Sequence, residues 1–280
     1  MTLAFAGLLG IAKEKFKIEE DPRIGEVGEA LPAANCGACG FAGCADFAKA
    51  VVEERARCAG CPVGGLAVAN KIAAILGIEI VETSPLRPVI HCGAKTYQKK
   101  GVVPYDGVPT CEEASLIGVT QACTYGCLGF GDCALSCDFD ALHMHEGLPV
   151  VDYDKCVGCG ACAKACPRRL IELIPFKQER MLVVACSNTE PGKLVKQVCT
   201  VGCIACKMCQ KLLPDLFEVK DNLAHMNYDH YEHSSEELDQ TVDKCPTNII
   251  VYFGKPAVQD VETKAAEQTI EPAMVGDPNT

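Results

Sequence analysis

The chain has 280 residues, 21 of them cysteine, with a net charge of −11 and no tryptophan. That surplus of acid excludes nucleic acid as a partner, because phosphate contacts need clustered Lys and Arg. Cysteines gathered in Cys-x2-Cys runs, with no signal-peptide cleavage pattern, exclude a secreted disulfide scaffold and point to metal in a reducing compartment. With aromatic residues at only 6% of the chain, metal clusters are expected to replace part of the hydrophobic core. Folding is then coupled to metal binding, the metal-free chain is expected to be largely unfolded, and several small modules are expected rather than one large core.

Residues 2–12 are apolar and are followed by Lys13, Lys15 and Lys17. A spanning helix needs about twenty apolar residues. Residues 1–20 are therefore expected to be a truncated membrane anchor or an interfacial stub, with a plain amphipathic helix as the alternative. The lysines would face the cytoplasm.

Residues 30–80 form an expected N-terminal single-cluster domain. Cys36, Cys39 and Cys44 are separated by two and four residues, and Cys61 stands in Cys-Pro-Val-Gly-Gly. Gly37, Gly40 and Gly43 let the loop turn tightly and aim backbone amides at cluster sulfides. Cys58 is the rival to Cys61, but only Cys61 has the Pro/Gly setting that turns the chain back toward the first loop. Residues 66–76 have helical apolar spacing with Gly77 as the stop. Pro85, Pro88, Pro104 and Pro109, with a Tyr-Asp-Gly turn, mark residues 81–110 as a linker.

Residues 111–180 carry two facing cysteine runs. Cys156, Cys159, Cys162 and Cys166, followed by Pro167, have the bacterial ferredoxin spacing, in which three cysteines hold one cluster and the fourth reaches the other. The upstream run is Cys123, Cys127, Cys133 and Cys137, with Phe130 where its middle cysteine would stand and Cys123 as the expected substitute. One four-iron cluster is thus expected on Cys123, Cys127, Cys133 and Cys166, and another on Cys137, Cys156, Cys159 and Cys162. Zinc, which favours isolated cysteine pairs often joined by histidine, is the weaker alternative.

An internal repeat follows: Cys123-Thr-Tyr-Gly-Cys127 matches Cys199-Thr-Val-Gly-Cys203, and Cys133 matches Cys209. In this second unit, residues 181–253, Cys206 restores the standard spacing. Leu213 stands where the run's last cysteine would be, residues 228–237 lack the partner run, and Cys245-Pro246 survives. The expectation is a degenerate repeat with one cluster on Cys203, Cys206, Cys209 and Cys245. Beyond Cys58, the leftovers Cys92, Cys111, Cys186 and Cys199 are enough to ligate a fifth cluster, with Cys111 and Cys186 as repeat equivalents; buried free thiols are the alternative. His225, His230 and His233 read as solvated, and residues 254–280 as a disordered tail. No Gly-x-Gly-x-x-Gly after a strand and no P-loop offers a nucleotide site.

The stretches Leu-Pro-Ala-Ala-Asn-Cys36-Gly-Ala-Cys39-Gly-Phe-Ala-Gly-Cys44, Cys61-Pro-Val-Gly-Gly, Cys123-Thr-Tyr-Gly-Cys127-Leu-Gly-Phe-Gly-Asp-Cys133 and the run to Cys166-Pro167 resemble the B subunits of the Rnf complex, the ion-translocating ferredoxin:NAD oxidoreductase. The resemblance spans about residues 1 to 250. It implies an α+β, multi-module iron–sulfur protein with a small N-terminal cluster domain and duplicated ferredoxin-like units holding four [4Fe-4S] clusters or five. It implies an electron-carrying subunit with no catalytic residue of its own, taking electrons from soluble ferredoxin and passing them to other subunits of a membrane complex. The implied location is the cytoplasmic side of the inner membrane, through an N-terminal anchor. A soluble polyferredoxin subunit of another redox enzyme and a zinc-bearing interaction scaffold are the competing readings.

Overall fold

In a computed structural model of the chain, residues 21–79, 84–118 and 120–255 are described. The expected anchor at 1–20 and nearly all of the expected tail lie outside the described residues. The chain divides into two compact units, Met1–Glu82 and Thr83–Thr280.

The first unit is helical. Helix α1 (Pro22–Ala30) starts on a proline, whose missing N–H has no partner to lose there, and Asp21 caps it by accepting from the Arg23 N–H at 2.9 Å. Helix α2 (Cys44–Val52) follows the first cysteine loop. Helix α3 (Gly65–Leu76) ends at Gly77, whose φ of 67° gives the left-handed cap expected of a stop glycine. The apolar faces of these helices meet around Val27, Phe47, Val51 and Ile72, all buried.

The second unit is built twice on one plan. In the first half, β1 (Leu86–Ile90) pairs antiparallel with β4 (Ile171–Pro175), and the hairpin of β2 (Leu142–His145) and β3 (Leu148–Val151) falls between them in sequence. In the second half, β5 (Arg180–Val184) pairs with β8 (Ile250–Gly254) around the hairpin of β6 (Phe217–Lys220) and β7 (Leu223–Met226). Both hairpins turn on two left-handed residues, Glu146-Gly147 and Asp221-Asn222, whose twist matches that of the strands they join. The α+β, duplicated ferredoxin-like plan is therefore the architecture of this unit.

Within the linker expected at 81–110, residues Leu86–Ile90 form a strand. Pro88 is compatible with β1, and Pro85 with its start, because among the described residues β1 pairs on one side only, so a proline on the other side forfeits no ladder bond. Val89 and Ile90 are buried, and Tyr153 donates its hydroxyl to the Pro88 carbonyl at 2.8 Å. Val89, Ile90, Cys92 and Ala94 belong to the core of the second unit, while Val102, Val103 and Val108 are exposed.

The second half departs from the first where its cysteines were lost. The five-residue helix Ala161–Ala165 of the first half has as its counterpart the nine-residue helix Ser235–Asp243, opened by a capping box between Ser234 and Glu237. Leu238 of that helix, together with Tyr231, is 2% exposed, and the Tyr231 hydroxyl accepts from the Leu182 N–H at 2.8 Å. The stretch 228–237, polar in sequence, thus supplies an aromatic plug to this half's core.

Candidate iron–sulfur centres

Five hollows of similar size, about 310 to 410 Å³, are each bordered by four cysteines. In the first unit the set is Cys36, Cys39, Cys44 and Cys61, and Cys58 lies outside it. Asn35 shapes this loop by accepting from the Cys44 N–H at 2.9 Å, and Gly64 donates its N–H to the Cys61 sulfur at 3.3 Å.

In the second unit, Cys137, Cys156, Cys159 and Cys162 share one hollow, and Cys203, Cys206, Cys209 and Cys245 share another, the groupings that the ferredoxin spacing leads one to expect. The third grouping is different. Cys127, Cys133 and Cys166 come together with Cys111, not with Cys123. The physical cause is Asp132. Its carboxylate accepts from the Cys111 N–H at 2.8 Å and the Glu112 N–H at 3.1 Å, capping helix α4 (Cys111–Ile117) beside Cys133. Cys111 thereby takes the place left by Phe130, whose ring packs edge-on against Tyr105 at 5.4 Å between centroids. Cys123 lines a separate hollow with Cys92, Cys186 and Cys199. Cys111 and Cys186 are consequently not repeat equivalents.

The donor chemistry fits iron–sulfur clusters. Four cysteine sulfurs border each hollow of about 310 to 410 Å³, the ligand number of a four-iron cluster. Backbone N–H groups aim at them: Ala141 donates to Cys137 and Leu170 to Cys166, each at 3.4 Å. Burial pushes the Cys127 and Cys133 thiols up to about 12 and those of Cys162 and Cys209 to about 11, so their ionised forms need a neighbouring cation.

Family comparisons agree with this arrangement. Residues 31–63 match a family described as a putative Fe-S cluster, residues 149–172 a 4Fe-4S binding domain, and residues 200–251 the 4Fe-4S single cluster domain of ferredoxin I. The chain is 39% identical to the B subunit of the Na(+)-translocating ferredoxin:NAD(+) oxidoreductase complex of Acetobacterium woodii, over 93% of this chain and 78% of that protein. It is 43% identical to the B subunit of the ion-translocating oxidoreductase complex of Methanosarcina acetivorans, over 74% of this chain and 78% of that one. Identity to the B subunit of the proton-translocating ferredoxin:NAD(+) oxidoreductase complex of Clostridium ljungdahlii is 36%, over 94% of both chains.

Proposed function

The chain belongs to the B subunits of ion-translocating (Rnf-type) oxidoreductase complexes, and from that premise we propose that it accepts electrons from reduced ferredoxin and relays them to other subunits of such a complex. The ligand sets we assign are Cys36, Cys39, Cys44 and Cys61; Cys137, Cys156, Cys159 and Cys162; Cys111, Cys127, Cys133 and Cys166; and Cys203, Cys206, Cys209 and Cys245. Bound there, a [4Fe-4S] cluster supplies reversible one-electron chemistry.

The chain's own residues hold and tune these centres. Amides donated to ligand sulfurs disperse thiolate charge and favour the reduced state. Lys99 donates its ammonium to the Cys127 carbonyl at 2.7 Å, placing a cation beside a ligand and working in the same direction. The single observation that carries the reading is the grouping of cysteines from distant parts of the chain into sets of four around hollows, none of which needs an acid, a base or a nucleotide pocket to serve as a relay. Ion translocation and NAD reduction then fall to partner subunits. We further propose that the protein works at the cytoplasmic face of the inner membrane, with the apolar stretch 2–12, outside the described residues, as its contact with the bilayer. Among the described residues no helix is long and apolar enough to cross a membrane.

Rapid mixing of the oxidised, anaerobically purified full chain with reduced ferredoxin tests the partner. The expected result is bleaching of the chain's visible absorbance in step with ferredoxin reoxidation. A chain that dithionite bleaches but reduced ferredoxin leaves untouched would remove ferredoxin as the donor.

A further inference from the structure

We propose that Cys92, Cys123, Cys186 and Cys199 hold a fifth [4Fe-4S] cluster, buried at the seam between the two ferredoxin-like halves. The proposal rests on the reading of the other hollows as cluster sites. None of the matched family segments, 31–63, 149–172 and 200–251, contains any of these four cysteines.

Each half contributes two of the ligands, in equivalent positions. Cys92 follows β1 as Cys186 follows β5, two residues past the strand end. The Cys92 sulfur accepts from the Cys127 N–H at 3.3 Å, and the Cys186 sulfur from the Cys203 N–H at 3.4 Å. Cys123 and Cys199 each open a Cys-Thr-x-Gly-Cys motif. In both copies the motif glycine lies against the opening cysteine: a Cβ would stand 3.5 Å from the Cys123 sulfur at Gly126 and 3.7 Å from the Cys199 sulfur at Gly202. At Gly202 that Cβ would also collide with the Val195 side chain, so the second copy of the motif leaves no room for a side chain there.

The seam joins the two halves at these same segments. Gly93, next to Cys92, donates its N–H to the carbonyl of Ala185, next to Cys186, at 2.8 Å. Cys199 forms a bridge with Lys99, flanked by Lys100 N–H to Val198 carbonyl at 3.0 Å and Thr200 N–H to Gln98 carbonyl at 3.1 Å. All four cysteines are 8 or 9% exposed, and their hollow, about 410 Å³, equals the one bordered by Cys133. Asn188 adds a side-chain donor to the Cys123 sulfur at 3.7 Å. The fifth set leaves Cys58 as the one cysteine of 21 outside a hollow.

The location gives the cluster a role. Cys127 and Cys203, the residues whose amides touch its ligands, are themselves ligands of the two flanking sets, so the fifth cluster links the halves. An electron leaving one flanking cluster oxidises it by one and reduces the fifth by one; the next step reverses this and reduces the other flank.

Native mass spectrometry of the anaerobically loaded full chain, with iron, sulfide and zinc analysis, tests the site. About twenty irons and twenty sulfides are expected, five clusters of four. Sixteen irons, with or without one zinc, would overturn the fifth cluster while leaving the relay reading intact; a chain with no iron would overturn both. The count on the unaltered chain decides the matter even if variants fold poorly. Where they fold, C92S/C186S should lose about four irons and keep the rest, and C111S/C123S should disturb two clusters because its residues serve different hollows. Unchanged iron in folded C92S/C186S would count against the proposal.

Discussion

Stripping iron from the reduced protein with a chelator, under anaerobic conditions, should abolish most of the far-ultraviolet circular dichroism of the second unit. Among the described residues the strands of this unit form four separate two-stranded sheets, and helices such as Asp132–Leu135 and Ala161–Ala165 are four and five residues long. Two-stranded sheets and helices of that length are marginal in water on their own. The core that joins them includes Cys92, Cys127, Cys133, Cys162, Cys186, Cys199, Cys203, Cys209 and Cys245 beside its aliphatic residues. Cross-links among those cysteines therefore carry much of the tertiary connection, and the free energy of cluster binding is folding free energy, on the order of 10 kcal/mol by comparison with structural zinc sites. Dichroism and a cooperative thermal transition that survive complete iron removal would show that the apolar residues suffice.

Phe47→Ala should cost the first unit about 3–5 kcal/mol, the range for removing a buried aromatic ring. Phe47 is 1% exposed, its ring lies 5.6 Å from that of Phe41, and a Cβ on Gly60 would stand 3.1 Å from it. It also lines the hollow of Cys36, Cys39, Cys44 and Cys61. A unit ending at Glu82 has only a small core, worth a few kcal/mol in total, so the loss approaches its whole stability. The expected result is a chain lacking about one cluster's iron, with the second unit's clusters retained because the two units are separately compact. A fragment ending at residue 82 should carry that one cluster before mutation and lose it after. Full iron in both Phe47→Ala proteins would contradict the assignment of the ring to the core that supports this site.

The cysteine groupings legible in the sequence are those whose spacing is local. Cys36, Cys39 and Cys44, then Cys156, Cys159 and Cys162, and then Cys203, Cys206 and Cys209 are each separated by only a few residues, so short stretches of chain bring each trio to one hollow. The Gly77 stop was legible for the same reason. Cys111 was not, because its place depends on the Asp132 carboxylate reaching an amide 21 residues away, and no periodicity encodes that contact. The role of Cys123 was hidden by the same exchange, since the gap at Phe130 invited the nearest spare cysteine. The strand at Leu86–Ile90 was obscured by Pro85 and Pro88, which read as breakers until the partner, β4, is known to lie on one side only. Tyr231 lies in a stretch, 228–237, that is polar in sequence, and the core it enters is assembled by β5 and β8, from far along the chain. The fourfold grouping at the seam required both halves to be placed.

Reductive titration of the intact, anaerobically purified chain tests the central claim, that this protein is a relay of cysteine-held clusters, most directly. Electrons taken up are counted against bleaching of the visible absorbance and against iron determined on the same sample. The account predicts a brown protein that takes up about one electron for every four irons, reversibly, with each increment bleaching the spectrum. A colourless protein with zinc in its cysteine sets, or an iron-loaded one whose absorbance no reductant changes, would contradict it.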